Sequence, residues 1–472
     1  MSRNIRPWWW LLSVAVSAVV TAQSELAQRA APLYELEQQI RSEVLENGLQ
    51  LRILPLPAGQ TVSIASQFAV GSRNEGPGQT GYAHIFEHML FKGSENAPGD
   101  TYVQTIGAYA GRFNATTWFD ATNYYLTLPS EAVELGLWLE ADRFIRPTLT
   151  EEGVQNQQGA VLEEMAMTID NQPYVRPAME FLLDQVAGTP YGHAVIGSVE
   201  DVSGSSAASL SAFHQAFYRP DLMQLSLVGD VPEPALAWVE QAFGAWSRPN
   251  HAPPEFGQLM LERRAVHQRL VDKRGPWPGL VLGWHTVGST HPDAAAVALL
   301  ELYLLHSKAS VVQQSRLTDP DQLLTFSLPV SMELHGVANL VLVPRARTSL
   351  DSLADSVAAH IDAVAQAPLD AQTLTRLKTM WLEQQLARLD SPRSLAIALS
   401  ATLDMDAETP LTGPWQRIEQ VTPQDIARVA RDYFQAGTVR LDLLPPWYVR
   451  AVKRVLEWLP SSTADWLEEA VL

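Results

Sequence analysis

Two histidines four residues apart, with a glutamate just before the second, are the best equipped for chemistry in this chain: His84-Ile-Phe-Glu87-His88. On a helix this spacing puts both imidazoles on one face, about 6 Å apart along the axis. Two neutral imidazoles so placed can chelate one tetrahedral zinc ion. Glu87 falls about −60° from His84 on the helical wheel, beside that face, where its carboxylate reaches a water at the metal's open position. An isolated His-x-x-x-His pair is usually a solvent-facing feature, but H-x-x-E-H has a named mechanism, metal-dependent hydrolysis. A hydrolytic zinc also needs a third protein ligand. Eighty residues after His84 the helical segment Gln157-Gln-Gly-Ala-Val-Leu-Glu163-Glu164-Met165 offers two adjacent carboxylates. They cannot share a direction on a helix, and spacing alone leaves the choice open.

These residues need elements to hold them. Thr80 as N-cap and Gly93 as stop predict a helix of about three turns around the histidines, walled by Ile85, Phe86, Met89 and Leu90. Ahead of it, Leu49 to Leu54 alternates as a strand does, and Thr61 to Val70 reads as a second strand. Ser24 to Gln38 reads as a polar lead-in without a period of its own. A chain of 472 residues exceeds one ordinary core, so more than one domain is expected. A Pro-rich stretch (SRPNHAPPEF, 247–256) reads as a linker.

Beyond that linker the first region recurs. Phe68-Ala-Val-Gly71-Ser72 is echoed by His285-Thr-Val-Gly288-Ser289, and Tyr218 before a strand is echoed by Tyr433 before another. The offsets, 217 from Gly71 to Gly288 and 215 from Tyr218 to Tyr433, agree closely and favour an internal duplication. The expected fold is α+β: two homologous sandwich domains, each a mixed, mainly antiparallel sheet with helices packed on one face. Residues 31–247 form the N-terminal domain, 248–262 the linker and 263–446 the C-terminal copy. An amphipathic tail follows at 447–472.

The formal charge of −19, with no sustained basic run, argues against nucleic acid as a partner. Residues 1–22 read as a signal peptide: Arg3 and Arg6, an apolar core from Trp8 to Val20, then the small-residue site Val20-Thr21-Ala22. The expected location is periplasmic or otherwise exported, with an uncleaved inner-membrane anchor as the alternative. The chain has no cysteine, so neither a disulfide nor a thiolate ligand is available.

With the histidine helix, the paired glutamates and several flanking motifs in view, the chain resembles the pitrilysin/insulinase peptidases, the inverted zincins. It is most similar to their half-length members, including mitochondrial processing peptidase subunits and bacterial relatives. Gly71-Ser72-Arg73-Asn74-Glu75, Leu90-Phe91-Lys92-Gly93, Asn114-Ala115-Thr116, Tyr191-Gly192-His193 and Ile196-Gly197 carry the likeness across much of residues 44–445. The resemblance implies Zn2+ held by His84, His88 and Glu164, with Glu87 as catalytic base. It also implies that Asn114 and Ala115 lie on a sheet edge that pairs with extended peptide substrate.

The departures from the family pattern are as informative. Gln157 stands where the family often has a second glutamate, seven residues before the ligand on the same helical stripe; it keeps a hydrogen-bonding shape and loses a charge. In the second copy Glu301, Leu304 and Leu305 replace the two histidines and the glutamate, with His306 nearby as a surface residue. Where the family has a substrate-binding arginine and tyrosine, Gln322 and Phe326 stand instead, with Arg316 close by. The expected function is therefore zinc-dependent endopeptidase, as the metal-bearing subunit of a heterodimer whose homologous partner supplies the arginine and tyrosine. The competing readings are a non-catalytic assembly subunit and a membrane-surface chaperone with a vestigial metal site. The tail from Trp447 to Leu459, with Arg450, Lys453 and Arg454 opposite an apolar side, gives that last reading a possible peripheral membrane contact.

Overall fold

The computed structural model describes residues 25–56, 59–252, 259, 261–305, 310–312, 322–327, 330–344, 349–401 and 408–456. The signal-like residues 1–22, residues 253–258 and 260 of the linker, His306, Arg316 and the tail beyond 456 lie outside them.

Six strands form a first sheet: β1 (Arg41–Val44), β2 (Gln50–Pro55), β3 (Thr61–Phe68), β4 (Arg112–Thr117), β5 (Thr122–Pro129) and β6 (Met223–Gly229). Their order is β1-β2-β6-β3-β5-β4, and only the β2–β6 pair is parallel. The second sheet holds β7 (Val266–Val271), β8 (Gly279–Val287), β9 (Gln322–Phe326), β10 (Val330–Ser331), β11 (His335–Pro344) and β12 (Val439–Leu444). Its order is β7-β12-β8-β11-β10, with β9 also on β11 and only β7–β12 parallel. The order β2-β6-β3-β5-β4 thus recurs strand for strand. β2 and β7 start 216 residues apart, β3 and β8 218, and β6 and β12 216, which is the duplication in physical form.

Helices cover one face of each sheet, as the apolar alternation along the strands requires. On the first half these include α2 (Tyr82–Met89), α3 (Thr101–Ala108), α4 (Val133–Ile145), α5 (Glu151–Met165), α7 (Val199–Gly204), α8 (Ala207–Phe217) and α9 (Ala235–Phe243); α6 (Val175–Asp184) goes elsewhere. On the second half α10 (Ala294–Leu304), α11 (Leu350–Gln366), α12 (Ala371–Arg388), α14 (Thr412–Gln420) and α15 (Pro423–Val429) close the core. α13 (Pro392–Ser400) leaves it, and α16 (Trp447–Leu456) follows β12.

To this architecture the structure adds an exchange. α6, from the first half, lays Phe181 and Leu182 on the outer face of the second sheet, against Val281, Val341 and Leu441. α13, from the second half, lays Leu395, Ala396 and Leu399 on the outer face of the first sheet, against Leu54, Ala65 and Val228. The two helices begin at 175 and 392, 217 residues apart, so one duplicated element covers the other copy's sheet in both directions. Buried polar groups fix the seat of α13. Arg52 donates to the carbonyl of Leu399 (2.6 Å), which the helix end leaves open, and the Ser226 hydroxyl donates to that of Ala396 (2.6 Å).

The lead-in corrects the expectation. Residues 25–37 form a helix (α1) whose Leu26, Ala30 and Leu33 are buried in the core of the second half. Residues 31–37, placed with the first domain from sequence, therefore pack with the second. Three apolar contacts at i, i+4 and i+7 among polar residues are too thin a stripe to read without knowing the far surface that receives them.

On the outer face of the second sheet His285 Nδ1 and His335 Nε2 lie 3.1 Å apart, both buried. Desolvation, then the charge of its neighbour, pushes His335 down to about 3, and burial lowers His285 as well. Unfolded, both histidines regain ordinary values near 6.5 and bind protons that the fold excludes. Stability therefore falls as pH drops from about 6.5 toward 3. Thermal unfolding of the metal-free chain should show that loss, and His335→Gln should flatten it; an unchanged slope would remove the pair as its source. Because each half covers the other, calorimetry should give one cooperative transition in place of two. Leu399→Ala should lower the stability of that whole unit by about 2–5 kcal/mol.

Candidate metal centre

The segment carrying the histidines is helical over Tyr82–Met89, shorter than the three turns expected, and Thr80 is not its cap. Gly81 precedes it at φ +90°, pressed so close to Ile196 and Gly197 that a side chain would collide with the Ile196 carbonyl at 2.7 Å. The Thr80 hydroxyl is turned to Asp201 instead (2.5 Å). The free amides at the helix start are taken by Glu75, whose carboxylate accepts from Gly81 N and Ala83 N, both at 2.8 Å. A negative group at a helix N-terminus is favourable both as acceptor and against the dipole. Glu75 is fully buried and its other partner is His193 Nε2 at 2.8 Å. The motifs that carried the family likeness thus meet at one point: Glu75 with His193, and Gly81 with Gly197.

His84 and His88 face the same way, rings 4.8 Å apart between centroids. α5 brings Glu164 over them, its Oε2 3.8 Å from His84 Nε2 and 3.6 Å from His88 Nε2. Among the described residues these three form the one group of three or more His, Cys, Asp or Glu side chains placed to hold a metal ion. Two ligands at about 2.1 Å from a tetrahedral zinc sit about 3.4 Å apart, close to the 3.8 and 3.6 Å that separate Glu164 from the two imidazoles. The protonation states fit too. Burial, then repulsion from His88, drives His84 down to about 4; burial also lowers His88, against the pull of Glu164 and Gln157. Both are neutral at pH 7, as ligation requires. Gln157 hydrogen-bonds His88. His84 Nδ1 is buried without a hydrogen-bond partner, so nothing on that side of the ring fixes its tautomer.

Glu87 lies beside the cluster, nearly buried, and accepts a hydrogen bond from Thr117 Oγ1 at 2.5 Å. Burial raises its pKa to about 7, with Glu164 adding to the rise and Thr117 and Arg143 opposing it. A carboxylate poised there can take and return a proton near neutrality. Asn114 and Ala115 sit on β4, the edge strand that ends at Thr117. The Asn114 side chain accepts the Ala115 amide (2.9 Å), so a strand pairing on this edge would replace a bond already made.

Three contributors escaped the sequence reading. Arg143 is buried under the site among the rings of Phe91, Tyr102, Tyr124 and Phe144 (4.3–4.9 Å), and Glu140 holds it at 2.9 and 2.8 Å. Its signal was present as an i,i+3 Glu–Arg pair inside an apolar helix. Thr117 and the Glu75–His193 pair carried no signal beyond their motifs. Gln322 and Phe326 fall on β9, where Phe326 packs toward the apolar cluster under α6.

Two related sheet-and-helix units with an H-x-x-E-H helix on the first define a class of metallopeptidase fold. The chain belongs to the insulinase peptidase family: residues 55–197 match the model described as Insulinase (Peptidase family M16), and residues 205–380 the one described as Peptidase M16 inactive domain. The second match begins among elements that complete the first sheet. A zinc protease of Helicobacter pylori, PqqE, is 24% identical over 90% of this chain and 94% of its own length. A protein of Mycobacterium leprae named as an uncharacterized zinc protease is 33% identical over 52% of this chain, which spans about half (53%) of that relative. The crystal structure of a protease from Helicobacter pylori superposes with a TM-score of 0.79, covering 86% of this chain and 99% of that one at 22% identity.

Glu75→Gln should loosen α2, costing about 1–3 kcal/mol of stability for a weakened buried acceptor. It should also weaken metal affinity by about ten- to a hundredfold, the usual penalty for disturbing what orients a ligand. Thermal melts and competitive zinc titration would measure the two effects.

Proposed function

We propose that this chain is a zinc-dependent endopeptidase acting on peptides or unfolded segments, with His84, His88 and Glu164 as metal ligands. The observation that carries the reading is the meeting of those three groups, with both imidazoles lowered by burial, beside a buried glutamate whose pKa is raised to about 7. The naming of relatives as zinc proteases supports it. Bound there, zinc would supply Lewis-acid polarisation of the scissile carbonyl and of the attacking water. Glu87 takes the proton of that water and passes it to the leaving amine. Thr117 holds the Glu87 carboxylate in place, and the β4 edge at Asn114 and Ala115 aligns an extended peptide by strand addition. Gln157 orients His88 without adding a charge near the metal.

Gln322 and Phe326 stand where the family has a substrate-binding arginine and tyrosine. Phe326 has no hydroxyl and packs toward an apolar cluster, which supports a homologous partner subunit supplying an arginine and a tyrosine. The domain limits proposed are 31–247 and 263–446, qualified by α1 and by the exchanged α6 and α13. The signal-like residues 1–22 support export to the periplasm.

A quenched-fluorescent peptide library, assayed with the chain alone and with a co-purifying homologue, tests the reading. Glu87→Gln should lower cleavage by at least about a hundredfold and leave metal content intact. His88→Ala should abolish both. Wild-type cleavage by Glu87→Gln would remove its role, and zinc-replete protein without stoichiometric metal would remove the centre. Full activity of the isolated chain would remove the partner.

A further inference from the structure

The edge strand beside the metal has a far end that the zinc chemistry does not use. β4 runs from Arg112 to Thr117 as the last strand of its sheet, and Thr117 is the end that holds Glu87. Arg112 therefore lies five positions away, about 17 Å along the strand. Alternation puts Arg112, Asn114 and Thr116 on one face, and all three are exposed, whereas Ala115 among them is buried. On that face Asn114 stands opposite Tyr125 of β5, which packs against the apolar cluster seated by α13.

Here the second half reaches the edge. Arg393, in the first turn of α13, joins Arg112, Phe113, Asn114 and Tyr125 around an open pocket of about 350 Å³. Two guanidinium groups from different halves of the chain thus share one pocket. Among the described residues no carboxylate lines it, and neither arginine makes an ion pair. The duplication shows what is missing around Arg393. Its counterpart at the offset of 217 is Arg176, also in the first turn of its helix, α6. Arg176 is held by Asp170 and by Glu180, the latter at 3.0 Å. At the same offset those carboxylates become Ala387 and Ile397, and Ile397 packs against the apolar cluster beneath α13. The second copy keeps the cation and lacks both groups that neutralise it in the first.

A peptide added to the β4 edge places a side chain opposite each β4 residue and on the same face. The one opposite Arg112 projects toward both guanidinium groups. We propose that Arg112 and Arg393 form a carboxylate subsite, so that the enzyme prefers substrates with an acidic group about five residues from the scissile bond. This role presupposes the peptidase reading and strand addition at Asn114 and Ala115. Arginine suits it because the planar guanidinium can grip a carboxylate with two parallel donors. Both side chains are exposed, so the subsite selects among substrates by a modest factor and is no condition for cleavage. The carboxylate can belong to an acidic side chain or to the peptide's own C-terminus.

Neutral peptides carrying one glutamate, stepped along the sequence, test the subsite. Binding is read by anisotropy on the zinc-loaded Glu87→Gln protein, and kcat/KM on the wild type. Glutamate about five residues from the cleaved bond should improve both by about three- to tenfold over glutamine, chiefly through KM. The gain should shrink with added salt. Arg112→Glu combined with Arg393→Glu should reverse the order, favouring lysine over glutamate at that position, which a damaged fold cannot produce. Peptides ending at that position, with free or amidated C-termini, separate the two sources. A gain from the free acid alone assigns the subsite to a terminal carboxylate, and a gain from internal glutamate assigns it to a side chain. A flat positional scan, or a preference that survives the double reversal, overturns the subsite and leaves the peptidase reading intact. Binding without wild-type cleavage removes the peptidase reading instead, and the anisotropy scan alone then decides the subsite. Absence of any peptide binding overturns it outright.

Discussion

Each sheet here has two apolar faces and enough local helix to cover one of them. Leu54, Ala65 and Val228 on one sheet, and Val281, Val341 and Leu441 on the other, would meet water unless the opposite half supplied α13 and α6. That exchange reaches the metal centre directly, because α5 carries Glu164 and runs on through a π-helical turn at Ala166–Asp170 into α6. Between them Tyr174 adopts φ +69°, an uncommon conformation for a non-glycine residue, which surrounding contacts must hold. The second half holds it: Asp272 accepts its amide at 2.7 Å, and its hydroxyl bonds both backbone groups of Trp277. Gly275 leaves room for the ring, which a side chain there would strike at 2.6 Å.

The other side of the centre is tied down in the same way. Arg73, two residues before the glutamate that caps α2, bonds Asp120 at 2.9 Å and Glu333 of the second half at 2.5 Å. Asp120 also accepts Tyr191 OH and Glu333 N. The helix with two ligands and the helix with the third are thus each anchored to the metal-free half. A mutation in that half far from the histidines can therefore alter ligand separation.

What could be read from the sequence divides along the range of the interaction. His84, Glu87 and His88 are legible because one helix carries all three and its period is fixed. Glu164 needed the family likeness, since an adjacent Glu163 is chemically equivalent until α5 is placed. The duplication was legible in two tripeptide echoes, but its consequence was not: nothing in 175–184 or 392–400 announces that each helix packs on the other copy's sheet. Thr80 looked like a cap because short-range rules favour it, whereas the Glu75 carboxylate wins with two amides and the support of His193. α1 was missed for the same reason, its buried stripe having meaning only against a surface more than two hundred residues away.

The electrostatics under the site follow from the same economy of positions. Glu87 must be buried to be a base near neutrality, yet a buried carboxylate left alone would simply hold its proton. Arg143 supplies the opposing cation at the cost of burying a guanidinium, and Glu140 with four aromatic faces makes that burial tolerable. Arg143 opposes the rise at Glu87 less than the Thr117 hydroxyl does, and its own charge is answered at close range by Glu140. α11 occupies the corresponding place in the second copy, and the 217 offset puts His360 where the first copy has Arg143.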